Sequence, residues 1–159
     1  MAYLIDGNNL IGHSSPAELR DPQSKFRLVS KLQRFQRQKK TRVLVVFDGN
    51  PDPDFIDAKY RKKKFSVIFP PFDQNADEVI KKIISKQTDL RRFFVVSSDR
   101  EIKDFARVKG AKPLSCKEFE RELKSALKEH RESQAEEKKV SAPSSVEINQ
   151  WLKIFKNKK

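Results

Sequence analysis

Short apolar runs alternate with helix-like patterns along most of the chain. These runs are continuous, and they fall at residues 3–5, 43–47, 67–69 and 93–96. Continuous apolar runs of this length are typical of parallel strands that helices cover on both faces. The pattern therefore predicts an α/β fold with three layers, in which a central, mainly parallel sheet lies between two layers of helices.

The segments between the apolar runs divide into helices and loops. Apolar residues recur at helical spacing within residues 24–40, which predicts a helix there. Residues 7–21 are polar and contain Gly, Ser and Pro, so we predict a loop after the first strand. Residues 49–64 contain two prolines and few apolar residues. We expect an exposed loop that lies at the same sheet edge as the carboxyl ends of the strands.

Acidic residues follow three of the predicted strands. Asp6, Asp48 and Asp99 come at or just beyond the ends of apolar runs. In a parallel sheet the ligand crevice lies outside the carboxyl ends of the strands. We therefore expect these three carboxylates to meet at one edge of the sheet.

A fourth acid, Asp77, lies at the start of a predicted helix. Asn75 and Glu78 have the spacing of a capping box, and the apolar stripe that follows places Asp77 at its border. Glu78 points away from that stripe, so we expect it to cap the helix. By the same pattern, Ser98 and Glu101 predict a capping box for the next helix, with Asp99 on its buried side.

Each of these acids also has a purely structural interpretation. Asp and Asn are favoured at turns and helix starts because their side chains accept hydrogen bonds from nearby backbone amides. Capping thus remains open for every single one of them. Several carboxylates that converge repel one another unless they are protonated or bridged by cations, and such hard oxygen ligands suit Mg²⁺ or Mn²⁺.

Composition narrows the class of partner. The 159 residues carry a formal net charge of +13, and 36% of them are hydrophobic, which is enough for one domain with a core. A single cysteine excludes an internal disulfide, and no apolar stretch is long enough to span a membrane. We expect a soluble cytoplasmic protein whose positive charge attracts nucleic acid.

The basic residues are concentrated in one predicted loop. They surround Tyr60 and precede the third apolar run. Blocks of like charge repel one another and often have a compensating partner. We predict that this loop binds RNA, together with Arg100, which directly follows Asp99. The predicted RNA-binding residues of the loop are Lys59, Arg61, Lys62, Lys63 and Lys64.

The C-terminal part of the chain has a different character. Residues 1–130 are predicted to form the globular domain, and residues 131–145 have the mixed charge and the small residues of a linker. Apolar residues at helical spacing then predict an amphipathic helix over residues 146–159. We expect this helix to dock on the domain, since a short isolated helix is marginal in water. Docking on a partner is the alternative.

Four sequence blocks resemble the NYN branch of the PIN-like nucleases, and specifically the bacterial YacP-like group. The blocks are YLIDGNN at residues 3–9, VVFDG at 45–49, NADE at 75–78 and VSSDRE at 96–101. The resemblance spans roughly residues 1–125, and its first and last blocks are the specific ones. It implies a Rossmann-like PIN fold and a divalent-metal-dependent endoribonuclease that acts on single-stranded RNA, in some relatives on messenger RNA at the ribosome.

The resemblance also implies residue roles. Asp6, Asp48, Asp77 and Asp99 would be catalytic metal ligands for Mg²⁺ or Mn²⁺, and Asn9 would support them, with Asn8 as a further candidate. A non-catalytic RNA-binding or ribosome-associated module with the same fold remains the alternative function. A phosphatase is disfavoured because the first strand ends without a second nearby carboxylate. The oligomeric state is not predicted.

Overall fold

A five-stranded parallel sheet forms the centre of the molecule. The computed structural model describes residues 1–55 and 58–141. Within these, all neighbouring strands pair in parallel in the order β3-β2-β1-β4-β5, which confirms the predicted fold class. The short fifth strand had no counterpart among the predicted runs. The strands are Ala2–Asp6 (β1), Arg42–Val46 (β2), Phe65–Ile68 (β3), Phe93–Val96 (β4) and Lys112–Leu114 (β5).

Helices cover both faces of this sheet. Alternate residues of a strand point to opposite faces, so Ile5 belongs to one apolar cluster and Leu4 to the other. The first cluster includes buried residues of α1, α2 and α5, and the second includes those of α3 and α4. The result is the predicted three-layer arrangement. The helices are Gly7–Ser14 (α1), Ser24–Lys39 (α2), Ala76–Lys86 (α3), Arg100–Lys109 (α4) and Cys116–Ser141 (α5).

The segment after β1 is helical, so the prediction of a loop over residues 7–21 is wrong. Helix α1 starts directly after the strand, and a 3₁₀ turn follows at Pro16–Arg20. Gly7 permits this abrupt start, because a Cβ at this position would lie 2.5 Å from the Phe47 ring. The short helix, which begins with residues of low helix propensity, is stabilised by packing rather than by its own sequence.

The connection between β2 and β3 packs on the sheet more closely than expected. It contains 3₁₀ turns at Pro53–Phe55 and Ala58–Tyr60, and the rings of Phe55 and Tyr60 are buried against each other. Arg61 then pairs with Ser66 in an isolated antiparallel bridge. The chain thereby returns to the amino-terminal end of the sheet before β3 begins.

Helix α5 continues through much of the predicted linker. Residues 131–141 are helical, which fits their content of Ala, Glu, Gln and Lys, all good helix formers. The chain divides into two compact units, Met1–Leu127 and Lys128–Lys159. The predicted amphipathic helix at residues 146–159 lies outside the described residues, so its docking stays a prediction. No helix in the described part of the chain is long and apolar enough to cross a membrane.

Candidate functional site

The order of the strands creates a crevice beside β1. The chain leaves the first strand toward β2 on one side and later adds β4 on the other, so the connections diverge at the carboxyl ends of β1 and β4. Asp6 is the last residue of β1, and Asp99 follows β4 by three residues. Ligands of open α/β sheets bind at such a topological switch point.

Asp6 is the buried member of the acidic group. Its carboxylate accepts hydrogen bonds from the backbone N–H of Asn9 at 3.4 Å and from the Ser97 hydroxyl at 3.2 Å. Only 7% of the residue is exposed. Burial, aided by the charges of Asp77 and Asp99, raises the pKa of Asp6 to about 6 against the two hydrogen bonds.

Asp99 forms the amino-terminal cap of α4. Its Oδ1 accepts hydrogen bonds from the backbone N–H groups of Glu101 at 2.8 Å and Ile102 at 3.4 Å. The prediction that Ser98 caps this helix is therefore wrong by one residue. Capping and a site role are compatible for Asp99, because its Oδ2 has no hydrogen-bond partner among the described residues.

Asp77 and Asp48 complete the acidic group from α3 and from the end of β2. Asp77 is half-buried, and its side chain makes no hydrogen bond within the described residues. Burial raises its pKa, and the negative charges of Asp99 and Asp48 add to the effect. Asp48 is exposed, and its Oδ1 accepts a hydrogen bond from the Ala76 backbone N–H at 3.3 Å. Asp77 is thus close enough to Asp6, Asp48 and Asp99 for their charges to interact.

The start of α3 agrees with only half of the predicted capping box. Asn75 Oδ1 accepts a hydrogen bond from the Glu78 backbone N–H at 2.9 Å, as a cap does. The Glu78 side chain is exposed and returns no hydrogen bond to any described residue. Asn75 alone is therefore the cap, and the predicted capping role of Glu78 is wrong. The predicted helix phase holds, since Asp77 faces the other acids.

Two asparagines hold together the loops that carry the acids. Asn8 Oδ1 accepts a hydrogen bond from the Asp48 backbone N–H at 3.0 Å. Asn9 Oδ1 accepts one from the Ser98 backbone N–H at 2.8 Å and another from the Cys116 thiol at 3.0 Å. Both side chains thus connect α1 to neighbouring strand ends. Their contacts fit a role in positioning the aspartates.

Ser97 is a member of the site that the sequence analysis did not identify. Its side chain is buried, donates a hydrogen bond to Asp6 and accepts one from the Asp99 backbone N–H at 3.1 Å. It thereby links two of the acids. The available signal was a polar residue directly after a buried strand, in phase with Val95. In the sequence alone, such a residue is indistinguishable from an ordinary turn residue.

The predicted RNA-binding residues divide into two places. Arg100 is exposed at the first position of α4, next to Asp99. The basic loop lies elsewhere, because the Lys64 carbonyl accepts a hydrogen bond from the backbone N–H of Val43, near the start of β2. Asp48 lies five residues further along the chain, or about 16 Å at about 3.3 Å per residue. The basic loop and the aspartates therefore occupy opposite edges of the sheet, so the prediction that residues 49–64 lie at the acidic edge is wrong for their basic part.

A divalent cation fits the donor chemistry of the acidic group. Asp6 and Asp77 both have raised pKa values, partly because neighbouring carboxylates repel their charge. Hard oxygen donors with excess negative charge are the ligands that Mg²⁺ and Mn²⁺ take. Among the described residues, however, no three His, Cys, Asp or Glu side chains are arranged so that they hold a metal ion jointly. A shared cation would require the carboxylates to approach one another.

Comparison with known proteins assigns the family. The family model of the YacP-like NYN domain matches residues 3–155. The chain belongs to the YacP-like NYN domain family. This match extends past residue 130, where we placed the end of the globular domain. Family membership supports a nuclease that acts on RNA.

Solved structures support the same fold. The crystal structure of Rae1 (YacP) from Bacillus subtilis has a TM-score of 0.75 at 22% identity, with 98% of this chain and 92% of that chain covered. The structure of its W164L mutant has a TM-score of 0.70 at 24% identity, with 94% and 89% covered. At these identities the likeness shows the fold alone. The search of curated proteins found no match.

Proposed function

We propose that this member of the YacP-like NYN family is a divalent-metal-dependent endoribonuclease that cleaves single-stranded RNA in the cytoplasm. Messenger RNA at the ribosome is the substrate we propose by resemblance. The observation that carries the proposal is the group of four aspartates at the topological switch point of the sheet, where the charges of neighbouring carboxylates help to raise the pKa values of Asp6 and Asp77. A net charge of +13 fits a polyanionic substrate.

The residues of the site would divide the work. Asp6, Asp77 and Asp99 would hold Mg²⁺ or Mn²⁺, with Asp48 at the exposed side. When bound, the cation would supply Lewis-acid stabilisation of charge on the phosphate and would activate a water molecule. Three positioning residues would keep the carboxylates oriented toward the cation. They are Asn8, Asn9 and Ser97.

An RNA cleavage assay with an isosteric variant tests this proposal. Asn caps helices about as well as Asp, so Asp99→Asn keeps the cap of α4 and removes only the charge. We expect labelled single-stranded RNA to be cleaved in Mg²⁺ or Mn²⁺ by the native protein, and not in EDTA or by Asp99→Asn. Asp104→Asn is the matched control, because Asp104 is exposed on the same helix and pairs with Arg107 at 3.0 Å.

The outcomes of this assay are distinct. Full cleavage by Asp99→Asn, or full cleavage in EDTA, would contradict the metal-dependent mechanism. Unaltered RNA binding by Asp99→Asn would place the defect in turnover.

A non-catalytic RNA-binding module is the second candidate function. It is favoured by one observation, namely that no three potential ligands among the described residues are arranged around a common metal position. On this alternative the aspartates would serve as helix caps and loop braces, as the hydrogen bonds of Asp6 and Asp99 do. Tight RNA binding by the native protein without cleavage in either metal would support this alternative.

A further inference from the structure

Phe72 is an aromatic side chain that the fold leaves entirely in solvent. Its relative exposure is 101%, and the other phenylalanines in the described part of the chain are buried or half-buried. Single exposed apolar residues are common on protein surfaces. Phe72 differs from such residues in its position, because it precedes α3 and lies close to the acidic group.

The backbone around Phe72 is restrained. The Gln74 backbone N–H donates a hydrogen bond to the Pro71 carbonyl at 2.9 Å, which closes a turn with Phe72 as its second residue. Pro70 and Pro71 restrict the preceding backbone, since the proline ring fixes φ. The turn therefore presents the aromatic ring on a restrained support.

The turn forms one wall of a cleft that reaches the acidic group. The cleft has a volume of about 330 Å³. Pro71, Phe72 and Gln74 line it together with Asp48 and Asn50. It has no Lys or Arg in its lining, and Asp48 contributes a negative charge. An aromatic wall without cations suits the face of a nucleobase and disfavours a phosphate.

We propose that Phe72 forms a base-stacking subsite for an RNA nucleotide that flanks the aspartates. This inference rests on the RNA substrate of the proposed function and adds a contact to it. Every nucleobase has a flat face, so stacking on Phe72 holds the strand without selecting a base. The cleft then places the adjoining part of the strand beside Asp48.

Substitution of Phe72 tests the subsite through binding and turnover. Stacking of one base on an aromatic side chain contributes about 1–3 kcal/mol, which corresponds to roughly 5-fold to 150-fold in affinity. Phe72→Ala should weaken binding of a single-stranded oligonucleotide in EDTA by a factor in this range. It should raise KM by a similar factor with little change in kcat, and Phe72→Trp should restore native values.

Val108→Ala is the matched control. Val108 is 85% exposed on α4, and it lies near the carboxyl end of that helix, whereas Asp99 lies at its amino end. We expect native affinity and native turnover for this variant. Thermal unfolding should be unchanged for Phe72→Ala, because a fully exposed ring contributes little to the core.

Abasic nucleotides identify the partner of Phe72. Removal of the base that stacks on the ring should weaken native binding as much as Phe72→Ala does, at one position of the oligonucleotide. At that position the abasic site and Phe72→Ala should not be additive, and elsewhere they should be additive. Additive losses at every position, or native affinity of Phe72→Ala, would overturn the subsite.

The two proposals fail in different ways. If the native protein cleaves RNA and Phe72→Ala does so with unchanged KM, the subsite is wrong and the nuclease stands. If the native protein cleaves no RNA in either metal while Phe72→Ala loses binding, the nuclease is wrong and the subsite stands.

Discussion

At the residue scale, the site combines structural and chemical roles in the same side chains. Asp6 caps α1 through Asn9 and also faces two other acids. Asp99 caps α4 and leaves one carboxylate oxygen without a partner in the described residues. A carboxylate has two oxygens, so a cap can direct the second one elsewhere. The structural and the functional interpretation of these acids are therefore not exclusive.

The burial of Asp6 predicts that this residue lowers the stability of the protein while it supports cleavage. Its folded-state pKa, about 6, lies above the ordinary value of 3.8. The folded protein therefore favours the protonated carboxyl of Asp6. Its contribution to the free energy of unfolding is fully present below pH 3.8 and is lost as the pH rises through 6. Asp6→Asn should abolish cleavage and, in EDTA at pH 7, stabilise the protein by up to about 3 kcal/mol.

Urea denaturation of Asp6→Asn across pH values checks this prediction. The gain over the native protein should be largest above pH 6 and should disappear as the pH falls toward 3.8. A variant that is less stable than the native protein at pH 7 would show that the carboxylate contributes stability through its hydrogen bonds. Asp104→Asn, at an exposed position, should change neither RNA cleavage nor the free energy of unfolding.

Gly7 supports a second prediction at this scale. Gly7→Ala would place a Cβ 2.5 Å from the fully buried ring of Phe47, so it should destabilise the protein by about 1–3 kcal/mol. Gly12→Ala is the control on the same helix, because its new Cβ meets only the end of the Leu19 side chain, at 3.0 Å. Chemical denaturation measures both. Equal stability of the two variants would show that Phe47 can shift.

At the element scale, helices α1, α3 and α4 begin at the acidic edge of the sheet. Asp6 caps α1, Asn75 caps α3 and Asp99 caps α4. The amino end of a helix carries partial positive charge, which favours nearby carboxylates. Helix ends therefore offset part of the repulsion within the acidic group.

The start of α3 yields a prediction that separates adjacent residues. Asn75→Ala should cost about 1 kcal/mol of stability, since it removes the cap, and should leave partial cleavage. Asp77→Ala should lose cleavage with little change in stability. Glu78→Ala should change neither, because its side chain is exposed and makes no hydrogen bond to the described residues. Thermal unfolding and RNA cleavage of the three variants are the measurements.

An inactive Glu78→Ala together with an active Asp77→Ala would contradict this assignment. In that case Glu78 rather than Asp77 would be the metal ligand, and α3 would turn a different face toward the site during catalysis.

At the scale of the whole molecule, charge is distributed between two edges of the sheet. The aspartates lie at the carboxyl ends of the strands. The amino-terminal edge is basic, and Arg42, Arg61 and Lys86 line a cleft of about 470 Å³ there. In the described connections at this edge the one acid is Asp89, which pairs with Arg91 at 3.2 Å. An RNA strand bound at the aspartates must therefore extend from one edge of the sheet to the other to reach these cations.

This separation predicts a length-dependent effect of the basic loop. Replacement of its four consecutive cations at residues 61–64 by Gln should weaken binding of a long single-stranded RNA and flatten its salt dependence, because fewer counterions are released. Cleavage of a trinucleotide, which is too short to reach this edge from the aspartates, should be unchanged. Binding titrations at several salt concentrations measure the effect.

A control with the same charge change uses exposed cations on α2 and α5. It should retain most of the native salt dependence, since it leaves the basic loop intact. If RNA affinity falls equally in both variants, net charge alone governs binding. If the loop variant loses trinucleotide cleavage, the loop lies at the aspartates. The control replaces Lys31, Lys117, Arg121 and Lys124 by Gln.

The sequence by itself determined the fold class and the position of most candidate acids. Continuous apolar runs identify buried parallel strands because such strands are covered on both faces, and a residue after a run must lie at a sheet edge. Asp6, Asp48 and Asp99 could be assigned to one edge on this basis. Helical periodicity added Asp77, whose half-buried position agrees with its place beside the apolar stripe.

Only the tertiary structure decided how the remaining residues are arranged. Helix α1 depends on the contact between Gly7 and Phe47, which is distant in sequence, and Ser97 joins two acids from a turn that has no distinctive pattern. The edge occupied by the loop at residues 61–64 depends on where the chain turns back before β3. Local patterns report the period of each element, whereas these features arise from contacts between elements.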